Sequence, residues 1–244
     1  MLDALRGSKV GGQDIGANLD RALAEGRLVR HADGMLGLRA PPRASRSTTL
    51  MVRNAPAMDC WFREGVMFEC AYRRAVIPHA CRACHKVKAV PRSLRELVAL
   101  REVAKRLPAT TKLCSEVDLF DRPNLWAAYV YADGLDGARA LYARLRAEMD
   151  ADPRLGPDVP AFIKRGCSSF ERACGPSDRW VVPDEGAAVE AALRPMVRPP
   201  ASPKAEDWAI FAEWVTTAFR IGDETYLDFT GGRRLNPASV VYPP

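Results

Sequence analysis

The chain has 244 residues, 48% of them apolar and 27% charged, a balance ordinary for a folded domain with a sizeable core. Lysine and arginine outnumber aspartate and glutamate by 36 to 30, a formal charge of +6, but no block of five or six like charges occurs, so the excess reads as a solvated surface. No run of eighteen apolar residues is present, and the first sixteen residues lack an apolar stretch behind basic ones. A membrane-spanning helix and a membrane partner are thereby excluded from the expectation, and a cytoplasmic protein is the reading.

In chain order, Ile15, Leu19, Ala22 and Leu23 share one face of a helix over residues 13–25, which Gly26 stops. Residues 28–30 and 35–38 then flank His31-Ala32-Asp33-Gly34, and the Asp-Gly pair marks a hairpin turn because glycine takes positive φ at low cost. This helix and basic-edged hairpin resemble the second half of a winged-helix module. The resemblance implies phosphate contacts from Arg27, Arg30 and Arg39. Against it, the helix carries Asp14, Asp20 and Glu25 with Arg21 as its one cation, which favours a packing or partner-docking element over nucleic-acid recognition.

Residues 39–49 are rich in proline, serine and arginine and read as a linker. Residues 50–53 form a strand candidate, and residues 58–62 and 66–70, around Arg63-Glu64-Gly65, predict a hairpin. Residues 86–90 give another strand. Ser93 and Glu96 have capping-box spacing, and Leu94, Leu97, Val98, Leu100, Ala104 and Leu107 supply an apolar stripe closed by Pro108. Residues 125–132 (LWAAYVYA) read as a buried strand. Leu135, Ala138, Leu141, Leu145 and Met149 follow at helical spacing, then residues 159–164 (VPAFIK) as a strand. Strand, helix and strand in succession predict a βαβ crossover. Toward the end come helices over residues 185–193 and 206–219, and a terminal hairpin from residues 225–229 and 240–242. The fold class expected is α/β (or α+β), a mixed sheet with a βαβ crossover. The organisation is a helix–hairpin unit (residues 1–40), a linker (41–49) and a cysteine-containing core domain (50–244).

The chemistry rests on seven cysteines, all between positions 60 and 174. Without an oxidising compartment, such a set points to metal binding rather than disulfides. Cys81-Arg82-Ala83-Cys84-His85 matches a haem-attachment string, but that chemistry follows export. Zinc needs a second tight knuckle that is missing, though Cys60 with Cys70, or Cys167 with Cys174, form looser pairs. An iron–sulfur cluster of the [4Fe-4S] type tolerates ligands from distant loops. Its expected ligands are Cys84, Cys114 and Cys167, then Cys81 and Cys174, with zinc as the alternative metal. Lys164 and Arg165 would favour the Cys167 thiolate, and Gly166 would let its backbone approach a cluster. Three ligands leave one iron open to substrate, whereas four close the cluster.

His79 and His85 lie close enough in sequence to be ligands or proton donors. Glu116 and Asp118 read as a solvated face, and Glu171 and Asp178, which flank the Cys167–Cys174 segment, read equally as proton-handling carboxylates or as salt-bridge partners of Arg172 or Arg179. No Walker loop, dinucleotide fingerprint or nucleophile elbow appears. The function expected is redox or cluster-assisted chemistry on a small anionic substrate, as an iron–sulfur-dependent oxidoreductase or lyase, or electron transfer to a protein partner engaged through residues 1–40. The rivals are a metal-stabilised nucleic-acid-binding regulator and an accessory subunit with a structural metal.

Overall fold

A computed structural model describes residues 5–39, 48–56, 58–117, 124–200, 206–236 and 241–242. Its largest feature is a five-stranded sheet built from β5 (Thr49–Arg53), β6 (Cys84–Ala89), β7 (Thr110–Ser115), β8 (Trp126–Asp133) and β9 (Ala161–Arg165), in the order β5-β7-β8-β6-β9. Helix α2 (Leu94–Arg106) joins β6 to β7, and α3 (Gly134–Ala151) joins β8 to β9. The expected crossover is therefore present, and the fold is mixed α/β. The two strands that α3 connects run in the same direction, yet β6 lies between them, so every pairing in this sheet is antiparallel. Two such split βαβ units interleave to make the sheet.

Alternation along the strands gives the sheet two unlike faces. Val87, Leu113, Trp126, Ala128 and Val130 point to one side, where they meet Leu94, Leu97, Leu100 and Val103 of α2 and Leu145 and Met149 of α3. Ile210 and Trp214 of α6 (Asp207–Arg220) complete that core. Burial of each large aliphatic side chain contributes roughly 1.5–3 kcal/mol. Ser93 accepts the Glu96 amide at 3.3 Å, but the Glu96 carboxylate reaches back to the amide of Arg92, at 2.6 Å, one residue short of a reciprocal capping box. The opposite face carries Lys86, Lys88, Lys112, Cys114, Tyr129, Tyr131 and Lys164 by the same alternation.

The N-terminal residues form β1 (Lys9–Val10), β2 (Gln13–Asp14), α1 (Ile15–Ala24), β3 (Leu28–Arg30) and β4 (Leu36–Leu38). The helix and hairpin stand where the pattern put them, and Asp14 caps α1 by accepting the Ala17 amide at 3.0 Å. Their apolar side chains share one core with Phe62, Val66, Met67 and Tyr72 and with Val189, Leu193 and Val197. β10 (Val197–Arg198) adds a parallel strand to β4, which makes this small sheet the mixed one. Arg27, a phosphate contact in the winged-helix resemblance, is exposed but engaged within the chain: it donates to the Glu69 carbonyl at 3.0 Å and faces the Glu69 carboxylate at 3.6 Å.

Residues 61–71 correct the sequence expectation most. The anticipated hairpin is an 11-residue π-helix, Trp61–Ala71, in which the Tyr72 amide reaches back five residues to the Met67 carbonyl at 2.7 Å. Residues Thr225–Phe229 likewise belong to a 3₁₀ turn, Glu224–Phe229, capped by Asp223, rather than to a strand; residue 240 of that expected hairpin lies outside the described residues, as do residues 40–47 of the linker. Among the described residues no helix is long and apolar enough to cross a membrane.

Candidate functional site

Four cysteines meet at one end of the lysine-bearing face. Cys84 opens β6, and Cys81 ends the 3₁₀ turn His79–Cys81 just before it. Cys167 caps α4 (Ser168–Cys174), and Cys60 caps the π-helix. Cys81 and Cys84 pack with Phe68, Ile77, Phe170, Trp180 and Val182, with Cys167 half-buried against them. All four sulfurs lie within electrostatic reach of one another. Burial pushes the Cys60 thiol up to about 11 and raises Cys81 and Cys84 as well, so these thiols keep their protons at neutral pH unless a metal's charge displaces them.

The Cys81–Cys84 turn is held from outside. Glu190 of α5 (Gly186–Leu193) accepts the amides of His79 at 2.5 Å and Ala80 at 3.0 Å, and the Tyr72 hydroxyl at 3.1 Å. The carbonyls of residues 82, 83 and 84 accept from Arg165 at 3.1 Å, Gly134 at 2.7 Å and Gly166 at 2.9 Å. Gly166 thus serves the turn rather than the sulfurs: its φ is +60°, and a Cβ there would lie 2.5 Å from the Trp180 ring.

Lys86 stands among the sulfurs. Its ammonium, on a side chain only 6% exposed, donates to the Cys167 sulfur at 3.5 Å and lies 5.6 Å and 5.4 Å from the ring centres of Tyr129 and Tyr131. Burial works to lower its pKa, but charge on Cys167, Cys84 and Cys60 outweighs that and the net shift is upward. The cation beside Cys167 is therefore Lys86, not the expected Lys164 and Arg165. Lys164 bonds Ser168 and Glu171, each at 3.0 Å, and Arg165 binds the Ser177 carbonyl at 2.8 Å. Glu171 consequently pairs with Lys164 instead of Arg172 or Arg179.

Of the five cysteines expected as ligands, Cys81, Cys84 and Cys167 come together. Cys114 does not join them. It pairs with Ala127 while Cys84 pairs with Asp133, six residues along β8, a separation of roughly 20 Å at about 3.3 Å per residue. Cys174 lies at the far end of α4, its thiol donating to the Arg74 carbonyl at 3.4 Å. Cys60 takes a place no motif had offered it. His85 follows Cys84 on the strand and so faces the opposite side of the sheet, its Nδ1 3.1 Å from the Ala83 carbonyl, which separates it from the haem-attachment string. Glu116 is fully buried rather than solvated, 2.8 Å from Lys88 and bonded by the Tyr129 hydroxyl; Asp118 lies outside the described residues.

A cavity of about 320 Å³ opens beside the sulfurs, floored by Met51, Lys112, Tyr129, Tyr131 and Lys86 and walled by Cys60, Glu64, Cys167 and Arg172 among others. Its basic floor was legible in part: Lys86-Val87-Lys88 and Tyr129-Val130-Tyr131 alternate with period 2, so each pair must share a face. Among the described residues no three Cys, His, Asp or Glu side chains are gathered tightly enough to hold a single metal ion. Comparison with known proteins finds no matching family model, no matching curated protein and no matching solved structure.

Proposed function

We propose that the chain carries an iron–sulfur cluster of the [4Fe-4S] type on Cys60, Cys81, Cys84 and Cys167, in a cytoplasmic redox protein acting on a small anionic substrate. One observation carries the reading: four free thiols from three separated segments lie within electrostatic reach of one another, three of them (Cys60, Cys84 and Cys167) also in reach of the buried Lys86 ammonium. The donor set suits the group. A zinc ion with bonds of about 2.3 Å draws its four sulfurs to within about 4 Å of each other, whereas a cluster spreads its cysteines around a larger body. The apolar wall of Phe68, Phe170 and Trp180 excludes water, and Lys86, with Arg63 in reach of Cys60, Cys81 and Cys84, offsets the negative charge of a thiolate-ligated cluster.

When bound, such a cluster supplies one-electron transfer, and four cysteines leave no iron open as a Lewis acid. The chain's own residues fix the ligands and donate a hydrogen bond to the Cys167 sulfur, which stabilises the more reduced state. The test is metal content and absorption of protein purified without oxygen. Iron with acid-labile sulfide and a brown colour are expected, lost in Cys81→Ala, Cys84→Ala, Cys167→Ala or Cys60→Ala and kept in Cys114→Ala and Cys174→Ala. A colourless protein holding one zinc per chain would replace the cluster with a structural tetrahedron and sink the redox reading.

A further inference from the structure

We propose that the cavity over the sheet binds a small organic dianion, with its acidic groups held by Lys112 at one end and by the Lys86–Arg172 wall at the other. Among the described residues, four cationic side chains line this space, Lys86, Lys112, Lys164 and Arg172, of which Arg172 has a further interaction of its own, and one carboxylate, Glu64, which already accepts a hydrogen bond from the Ser169 hydroxyl at 2.5 Å. Lys164 is neutralised by Glu171. Among the described residues neither Lys86 nor Lys112 has a carboxylate partner: Lys86 meets a sulfur and two tyrosine rings, and Lys112 lies 5.6 Å from the Tyr129 ring centre. Elsewhere on the same face the buried Lys88 does have one, Glu116. Neither ammonium is matched by a carboxylate of its own among these residues, and the open volume beside both is where an anion fits, adding to the charge that the neighbouring sulfurs place near Lys86.

Size and spacing narrow the ligand. About 320 Å³ is at the lower limit of small-molecule pockets, so a nucleotide or a peptide is too large. Lys112 on β7 and Lys86 on β6 flank β8, and both ammoniums lie 5.6 Å from the ring centre of its Tyr129, so two cations share one ring and a ligand with two acidic groups matches both charges. The Ser168 hydroxyl, which accepts from Lys164, lines the same space and can donate to a ligand. The shared chemistry is a dianion of short chain length, whether both groups are carboxylates or one is a phosphate. The inference rests on the cluster reading for the fate of the ligand, since the sulfurs of Cys60 and Cys167 share the cavity wall, but not for its binding.

The test is calorimetric titration of the full chain, purified without oxygen, at constant ionic strength with succinate, phosphoglycolate, acetate and the neutral succinamide, with iron and labile sulfide assayed on the same samples. Succinate or phosphoglycolate is expected to bind at least about 10-fold more tightly than acetate, with succinamide silent, and Lys112→Gln and Arg172→Gln are each expected to weaken it about 10-fold without changing iron content. Preference between the two dianions identifies the second acidic group. Binding no tighter than acetate, or equal affinity in both variants, would overturn the site even in iron-loaded protein. Dianion binding by iron-free protein would uphold the site and remove the cluster.

Discussion

Glu190 shows how much one side chain can carry. Buried in α5, it satisfies two amides of the turn before Cys81 and the hydroxyl of Tyr72, whose ionisation burial and this carboxylate push far up. Glu190→Ala strands three donors, each costing about 1–3 kcal/mol when buried and unpaired. A loss of about 3–5 kcal/mol in urea unfolding is expected, with Glu190→Gln losing about half as much because one oxygen remains to accept. A loss below about 1 kcal/mol in the alanine variant would show that the turn holds itself. Glu190 was invisible in the sequence because its partners lie more than a hundred residues away. The cysteines divide by the same logic. Cys81 and Cys84 come together through local spacing, whereas Cys114 was misjudged because strand register, not distance in sequence, decides its place.

Among the elements, the strands show most plainly what pattern conveys. Alternation was readable in β6 and β8, but β7, with its two threonines and a lysine (Thr110, Thr111, Lys112), lacks an apolar run and was passed over. The π-helix escaped for a related reason. Its buried residues Phe62, Val66, Met67, Cys70 and Ala71 follow a period longer than that of an α-helix, and Phe68 is buried on another side among the cysteines, a pattern that neither a strand nor an α-helix template detects. On the tyrosine-bearing face of the sheet, Lys88 and Glu116 form a buried pair completed by Tyr129. Lys88→Met alone leaves a carboxylate without its counter-charge, and about 3–5 kcal/mol should be lost. Adding Glu116→Leu to Lys88→Met should restore most of that loss, because two apolar side chains need no partner. Chemical denaturation of the single and double variants measures the coupling. A double variant as unstable as the single one would mean that the pair stabilises more than its desolvation costs.

For the molecule as a whole, acid should loosen the fold at its periphery first. The Met35 amide and Arg198 hold Asp33 below the ordinary carboxylate range, Lys105 does the same for Glu102, Arg154 for Asp152 and Arg95 for Asp228. The folded pKa lies below the unfolded one in each case, so the unfolded chain takes up protons first. The contribution is complete above the usual carboxylate range and disappears as pH falls through the lowered values. Urea midpoints should therefore hold from pH 7 to about 5 and fall below about 4, with the fall reduced by salt for the exposed Asp33 and Asp228 more than for the largely covered Asp152. A midpoint unchanged at pH 3 would show that these pairs contribute nothing.

The parallel pairing of β10 with β4 sets the order in which the chain can be completed. As the polypeptide emerges during synthesis, α1 and its hairpin precede their partners: Leu36 pairs with Arg30 of β3 but gains its second strand neighbour only with Val197, and Ile15, Leu19 and Leu28 wait for Phe62, Val66 and Leu193. The large sheet, whose strands are all made in the interval, can pack on α2 and α3 beforehand, and α6 completes its core only after Val197 has appeared. Docking of the hairpin therefore waits on the closure of a long loop, and the entropy of that closure slows it.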